Sequence, residues 1–143
     1  VDKIPATVVE GEKDYGIRFY GIPGGYEFAS LLEAIKMVGS NESGLSQKTK
    51  EALKGLTKPV HIQVFVTLTC PYCPGAVRLA HKLAFERDLV KSDMVESMEF
   101  PHLAHKYDVF SVPKVVINED IRFVGALPED EFVKRLLQAQ EAR

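Results

Sequence analysis

Two cysteines, Cys70 and Cys73, are the only ones in the chain, and they are separated by Pro71 and Tyr72. A thiol attacks a disulfide only as a thiolate, and a second thiol three residues away can displace what the first has captured. The spacing therefore points to thiol–disulfide exchange, with Cys70 as nucleophile and Cys73 as resolving thiol, together forming the redox-active disulfide. A loop this small would stabilise little as a structural cross-link, and a disulfide-stapled scaffold needs more cysteines more widely spaced. Cys-x-x-Cys is also a zinc half-site, and His102 with His105 brings the count of ligands to four. A metal site is thus a rival reading; a non-redox docking module is another.

The pair sits between two elements. Pro59–Thr69 is rich in β-branched residues, with Val60, Ile62, Val64, Val66 and Leu68 alternating as an apolar face, and predicts a strand. From Ala76 to Leu89 the apolar spacing is helical: Ala76, Val77, Leu79, Ala80, Leu83 and Ala84 share one face. A helix start presents unpaired N–H groups and a partial positive charge, which favour a thiolate. Proline at position 71 removes an N–H that a first turn does not need, and Tyr72 flanks the exposed sulfur. His61 and His81 read as a strand-end and a helix-surface residue.

Further along, 94–100 predicts a strand, 101–106 a short helix, and 115–118 with 121–124 a hairpin around Glu119-Asp120. Pro128 opens a final helix striped by Phe132, Val133, Leu136 and Leu137. The order from Pro59 is β-α-β-α-β-β-α. The first 57 residues repeat the last third. Ile4-Pro5-Ala6-Thr7-Val8-Val9 parallels Val112-Pro113-Lys114-Val115-Val116-Ile117. Ile17-Arg18-Phe19 with Gly21 parallels Ile121-Arg122-Phe123 with Gly125. The domains expected are a β-β-α half-unit with its linker at 1–57 and a complete unit at 58–143. Residues 40–50 read as a polar linker and 50–56 as a short helix. A hairpin and one helix cannot form a core alone, so the half-unit must pack on the complete one or on a second chain.

These elements and motifs resemble the thioredoxin superfamily. The carrying residues are Val64-Phe65-Val66-Thr67-Leu68-Thr69-Cys70-Pro71-Tyr72-Cys73-Pro74, then Lys106-Tyr107-Asp108-Val109-Phe110-Ser111-Val112-Pro113, then Val124-Gly125-Ala126-Leu127-Pro128. More narrowly, with Phe19-Tyr20-Gly21-Ile22-Pro23, they resemble the two-unit, glutaredoxin-like protein disulfide oxidoreductases of hyperthermophiles. The resemblance implies an α/β thioredoxin-like fold with a mixed four-stranded sheet, and a sequence that lacks the first half of the N-terminal unit. It implies a cis Pro113 facing Cys70, with Val112 pairing to a substrate backbone, and Pro5 as the equivalent proline of the partial unit. It implies protein disulfides as substrates, a thioredoxin-reductase-like electron donor and a thermophilic source. No cofactor is required. Two departures stand out. Val64 occupies the position, six residues before the nucleophile, where thioredoxins carry a buried aspartate; Glu96 and Glu99 are candidate replacements. Gly125-Ala126-Leu127-Pro128-Glu129-Asp130 does not reproduce the glutathione-holding pattern of glutaredoxins, the alternative substrate class.

Composition agrees with a globular domain: 143 residues, 45 % hydrophobic, 27 % charged, net charge −2. No basic excess marks a nucleic-acid footprint, and no apolar run reaches membrane-spanning length. The lack of a targeting pattern gives a cytoplasmic expectation. Self-association through the half-unit is a further expectation.

Overall fold

The structure is a computed structural model and describes residues 2–141. The chain runs β1 (Ala6–Glu10), β2 (Asp14–Tyr20), α1 (Glu27–Ser40), α2 (Gln47–Leu53), β3 (Val60–Val66), α3 (Cys73–Glu86), β4 (Val90–Glu96), α4 (Pro101–Lys106), β5 (Lys114–Ile117), β6 (Ile121–Val124) and α5 (Glu129–Glu141). All six strands join one sheet in the order β1-β2-β4-β3-β5-β6. The centre is parallel, β2 to β4 to β3, and an antiparallel pair closes each side. The thioredoxin-like four-stranded sheet is therefore extended, not accompanied, by the N-terminal hairpin. Ile17 to Tyr20 lie beside Ser92 to Val95, so the first segment packs on the complete unit through its own strand.

Alternation assigns the two faces. Phe19, Val64, Met94 and Val115 belong to the large core with residues of α1, α3 and α5. Their neighbours Tyr20, Phe65, Val95 and Val116 form a second core with Phe100 and Tyr107 around α4. A central strand covered on both sides carries a near-continuous apolar run. This is why β3 buries Phe65 as completely as Val64, rather than having the single apolar face that alternation predicts.

Several boundaries differ from the sequence expectation. The helix after the cysteines begins at Cys73, not Ala76, because Pro74 suits a first turn. The next strand begins at Val90, not at residue 94; Ser92 and Asp93 interrupt the hydrophobic pattern, but each is paired with a histidine. Ser92 Oγ pairs with His81 Nδ1 at 2.7 Å and Asp93 Oδ2 with His61 Nε2 at 2.6 Å. His81 is consequently a core residue, 1 % exposed and edge-on to Phe19, not a surface one. The short helix expected at 50–56 is α2, which begins earlier, inside the expected linker, because Ser46 starts it: its hydroxyl accepts from Thr49 N–H at 3.2 Å.

The repeated motifs adopt repeated geometry. The Ile4–Pro5 and Val112–Pro113 bonds are both cis. Gly21 N–H donates to Pro5 O at 2.9 Å, and Gly125 N–H donates to Pro113 O at 2.8 Å. Each proline leads into an antiparallel strand pair and then a helix.

Candidate active site

Strand β3 ends at Val66, and the chain turns through Thr67–Tyr72 before Cys73 opens α3. Cys70 N–H donates to Thr67 O at 3.3 Å, which closes that turn. Cys73 N–H, one of the helix-start donors with no intrahelical acceptor, donates to Cys70 Sγ at 3.2 Å. Cys70 Sγ lies 3.9 Å from Val112 O, so the residue before the cis proline faces the sulfur. Tyr72 is 74 % exposed beside it, Pro71 is exposed, and Pro113 is buried beneath.

The two thiols sit in contrasting environments. Cys70 is half-buried, whereas Cys73 is fully buried. Burial pushes the Cys73 thiol far above its ordinary range; the hydrogen bond with Cys70 and, to a lesser degree, the nearby Glu27 carboxylate push the same way, against a hydrogen bond from the Thr67 backbone. Brief treatment with iodoacetamide at neutral pH should give a single adduct on Cys70, read by peptide mass mapping. Equal labelling of both cysteines would contradict the assignment of nucleophile and resolving thiol.

A thiol held this firmly protonated needs a proton acceptor before it can attack. Val64, at the position six residues before Cys70, is buried and apolar. The two candidates on the β4 side are engaged by backbone N–H groups. Glu96 accepts from the backbone N–H groups of Met98 and Glu99, and Glu99 Oε2 accepts from Ile22 N–H at 2.7 Å. Both carboxylates fasten turns.

A further buried carboxyl lies on the N-terminal segment. Glu27, the first residue of α1, is fully buried, and neither carboxyl oxygen has a hydrogen-bond partner among the described residues. Burial raises its pKa to about 7, opposed by the nearby Ser30 hydroxyl and the Arg78 guanidinium. A carboxyl poised near neutrality beside a buried thiol is the arrangement expected of a general acid–base group. Its position is set by a close approach of two loops. Tyr26 N–H donates to Leu68 O at 3.0 Å, on the turn that carries Cys70. Gly25 makes room: its φ is +53°, and a Cβ there would lie 2.4 Å from Leu68 O. The sequence signal for this residue is weak, because a lone Glu after Gly-Gly-Tyr reads as an exposed first-turn acid.

His102 and His105 are exposed on α4. Among the described residues no group of three or more His, Cys, Asp or Glu side chains could hold a metal ion.

A strand, a turn carrying Cys-Pro-Tyr-Cys, a helix begun by the second cysteine and a cis proline opposite the first define a thioredoxin-type dithiol site. Comparison with known proteins agrees: a thioredoxin domain family model matches residues 60–138, and the chain belongs to the thioredoxin family. It is 36 % identical over 78 residues to a thioredoxin of Methanocaldococcus jannaschii, covering 54 % of this chain and 92 % of that protein. It is 27 % identical over 130 residues to an alkyl hydroperoxide reductase protein of Pseudomonas aeruginosa, covering 91 % of this chain and 25 % of that protein. In three dimensions it matches a protein disulfide oxidoreductase from Aeropyrum pernix with a TM-score of 0.93 and 41 % identity, over all of this chain and 62 % of that one. The chain thus spans about a quarter of the hydroperoxide reductase protein and under two thirds of the disulfide oxidoreductase. No helix among the described residues is long and apolar enough to cross a membrane.

Proposed function

We propose that the chain catalyses thiol–disulfide exchange on protein substrates through Cys70 and Cys73. The observation that carries this reading is the hydrogen bond from the Cys73 N–H to Cys70 Sγ, which places one accessible sulfur at a helix start with a second, buried sulfur one turn behind it. The Cys70 thiolate attacks a substrate disulfide; a bond forms to one substrate sulfur, and the other leaves as a thiolate that takes a proton from solvent. Cys73 gives its proton to the Glu27 carboxylate, directly or through water, and attacks Cys70 Sγ. The Cys70–Cys73 bond forms, the mixed disulfide breaks, and the second substrate sulfur leaves as a thiolate. The substrate disulfide is reduced by two electrons, and the two cysteines are oxidised. Run backwards, the same steps oxidise a dithiol.

Pro71 and Tyr72 on one side, and Val112 with Pro113 on the other, bound the groove in which an extended substrate segment lies. Exposed Phe110 and Met98, at the same end of the sheet, add apolar contact surface suited to a protein rather than to a small polar thiol. Residues 1–57 act as a partial thioredoxin-like unit that supplies Glu27 to the complete unit at 58–143. The electron donor is a reductase of the thioredoxin-reductase kind, and the setting is cytoplasmic. Reduction of insulin disulfides by dithiothreitol tests the reading: the protein should accelerate it, and Cys70→Ser should return it to the uncatalysed rate. A wild-type protein with free thiols and no acceleration would refute it.

A further inference from the structure

Strands β2, β4 and β3 are parallel neighbours, so the loops that leave them share one end of the sheet. Those loops are 21–26, 97–100 and 67–72, and the last carries Cys70. Although β4 separates β2 from β3, the first loop reaches across to the third. Tyr26 N–H and Gly25 both meet Leu68, two residues before Cys70. On the way the first loop is tied to the second, where Glu99 accepts from Ile22 N–H. It is also held from within: Gly24 N–H donates to Ile22 O at 2.8 Å, and Glu27 N–H donates to Gly24 O at 3.0 Å.

What these anchored loops show to solvent is apolar. Ile22 is 63 % exposed, Tyr26 53 % and Met98 79 %, and Tyr72 stands on the cysteine turn itself. Single exposed apolar residues are ordinary, but large ones gathered on fixed backbone round one reactive atom mark a contact surface. The fold does not require them. At the offset that pairs Ile17 with Ile121, Ile22 corresponds to Ala126 and Tyr26 to Asp130, and both of those are exposed. A small and a charged residue serve the equivalent positions, so the size and apolarity of Ile22 and Tyr26 answer to something outside the fold. The surface is continuous with the turn that carries Cys70, and what comes to that turn is the substrate chain.

We propose that loop 21–26 is a wall of the substrate groove, on which Tyr26 and Ile22, with Met98, receive large apolar side chains next to the disulfide under attack. This rests on the dithiol chemistry given above. The partial unit then sets specificity: it selects protein segments whose cystine lies among apolar residues over segments whose cystine lies among polar ones. Each such contact takes apolar surface of both partners out of water, which favours the complex and adds nothing to the sulfur chemistry itself.

Two synthetic peptides test it, each with one disulfide loop and differing only in Phe-Leu or Ser-Ser beside the first cysteine. The reduced protein is mixed with each, and the second-order rate constant for peptide reduction is read by mass spectrometry. The wild type should prefer the apolar peptide about tenfold. In Tyr26→Ala and in Ile22→Ala, both at exposed positions, the preference should fall to about twofold, the loss of one apolar contact. Tyr26→Phe keeps the ring and should keep the preference. Equal rates for the two peptides in the wild type, a preference that persists in both alanine variants, or an equal loss on both peptides would overturn the wall. The Ser-Ser peptide reports the dithiol independently of the wall: reduction of neither peptide by the wild type would overturn the exchange reading, and the wall with it.

Discussion

Replacing Cys73 by serine will trap the substrate on Cys70. In the wild type the resolving sulfur is one helical turn from the nucleophile, and the mixed disulfide is opened intramolecularly. Without it, an external thiol must collide with a half-buried sulfur. Intramolecular attack of this kind has a very high effective molarity, so release should slow by about a hundredfold or more. Incubating Cys73→Ser with a substrate protein should therefore give a stable covalent adduct, seen as a mass increase that dithiothreitol reverses. The corresponding Cys70→Ser variant should give none, because its remaining thiol is fully buried and protonated. An adduct on Cys73 in that variant would reverse the two roles.

Glu27→Gln will separate the two steps of the cycle. A Cys70 adduct formed with 5,5′-dithiobis(2-nitrobenzoate) releases its coloured thiolate when Cys73 attacks, so the resolving step is read directly. In the wild type that rate should climb as pH rises through about 7, where the Glu27 carboxyl ionises and becomes a base. In the variant the climb should vanish, and the rate above pH 7 should fall by about a hundredfold, a typical general-base contribution. Capture by Cys70 should be unaffected. An unchanged pH profile would remove Glu27 from the mechanism.

The same carboxyl carries a stability signature. Its pKa is raised from 4.5 in the unfolded chain to about 7 in the fold, so the folded protein holds the proton more tightly. The stabilisation is complete below pH 4.5 and is lost as pH rises through 7, on the order of 3 kcal/mol. His81 acts with the opposite sign. Its pKa falls from 6.5 to about 3, so its contribution is present above pH 6.5 and lost as pH falls. The Glu27 share is therefore the difference in denaturation midpoint between wild type and Glu27→Gln, measured across the pH range. A difference that does not change with pH would show that the carboxyl titrates normally.

Much of this is legible in the sequence, for identifiable reasons. The element order from Pro59 onward follows from period alone, because β3, α3 and the β5–β6 hairpin are short segments with strong apolar patterning and clear turn residues. The pairing of Cys70 with Cys73 needs only spacing and flanking elements. What is not legible depends on contacts distant in sequence. Nothing local says that β2 lies parallel to β4, since that pairing joins residues 17–20 to 92–95. Polar residues with partners far along the chain mislead for the same reason. His81 stands one turn from Val77, beside the expected stripe, and its polar ring reads as a surface group until its Ser92 partner is seen. Ser92 and Asp93 hide the first half of β4 until their histidine partners are seen. Glu27 gives no sign of its role because its meaning comes from the loop above it, where Gly25 lets the backbone touch Leu68.

That contact between Tyr26 N–H and Leu68 O has a further consequence. The proposed nucleophile and its proposed acid–base partner are carried by chain segments more than forty residues apart, and they meet only while this seam is shut. A transient opening at the start of α1 would carry Glu27 away and leave both sulfurs in place. Local opening of a helix end is the least costly excursion a native protein makes. With Glu27 in the proposed role, such an opening would leave a dithiol able to capture a partner but slow to let it go. How long each partner stayed bound would then be governed by the breathing of a helix that touches neither sulfur.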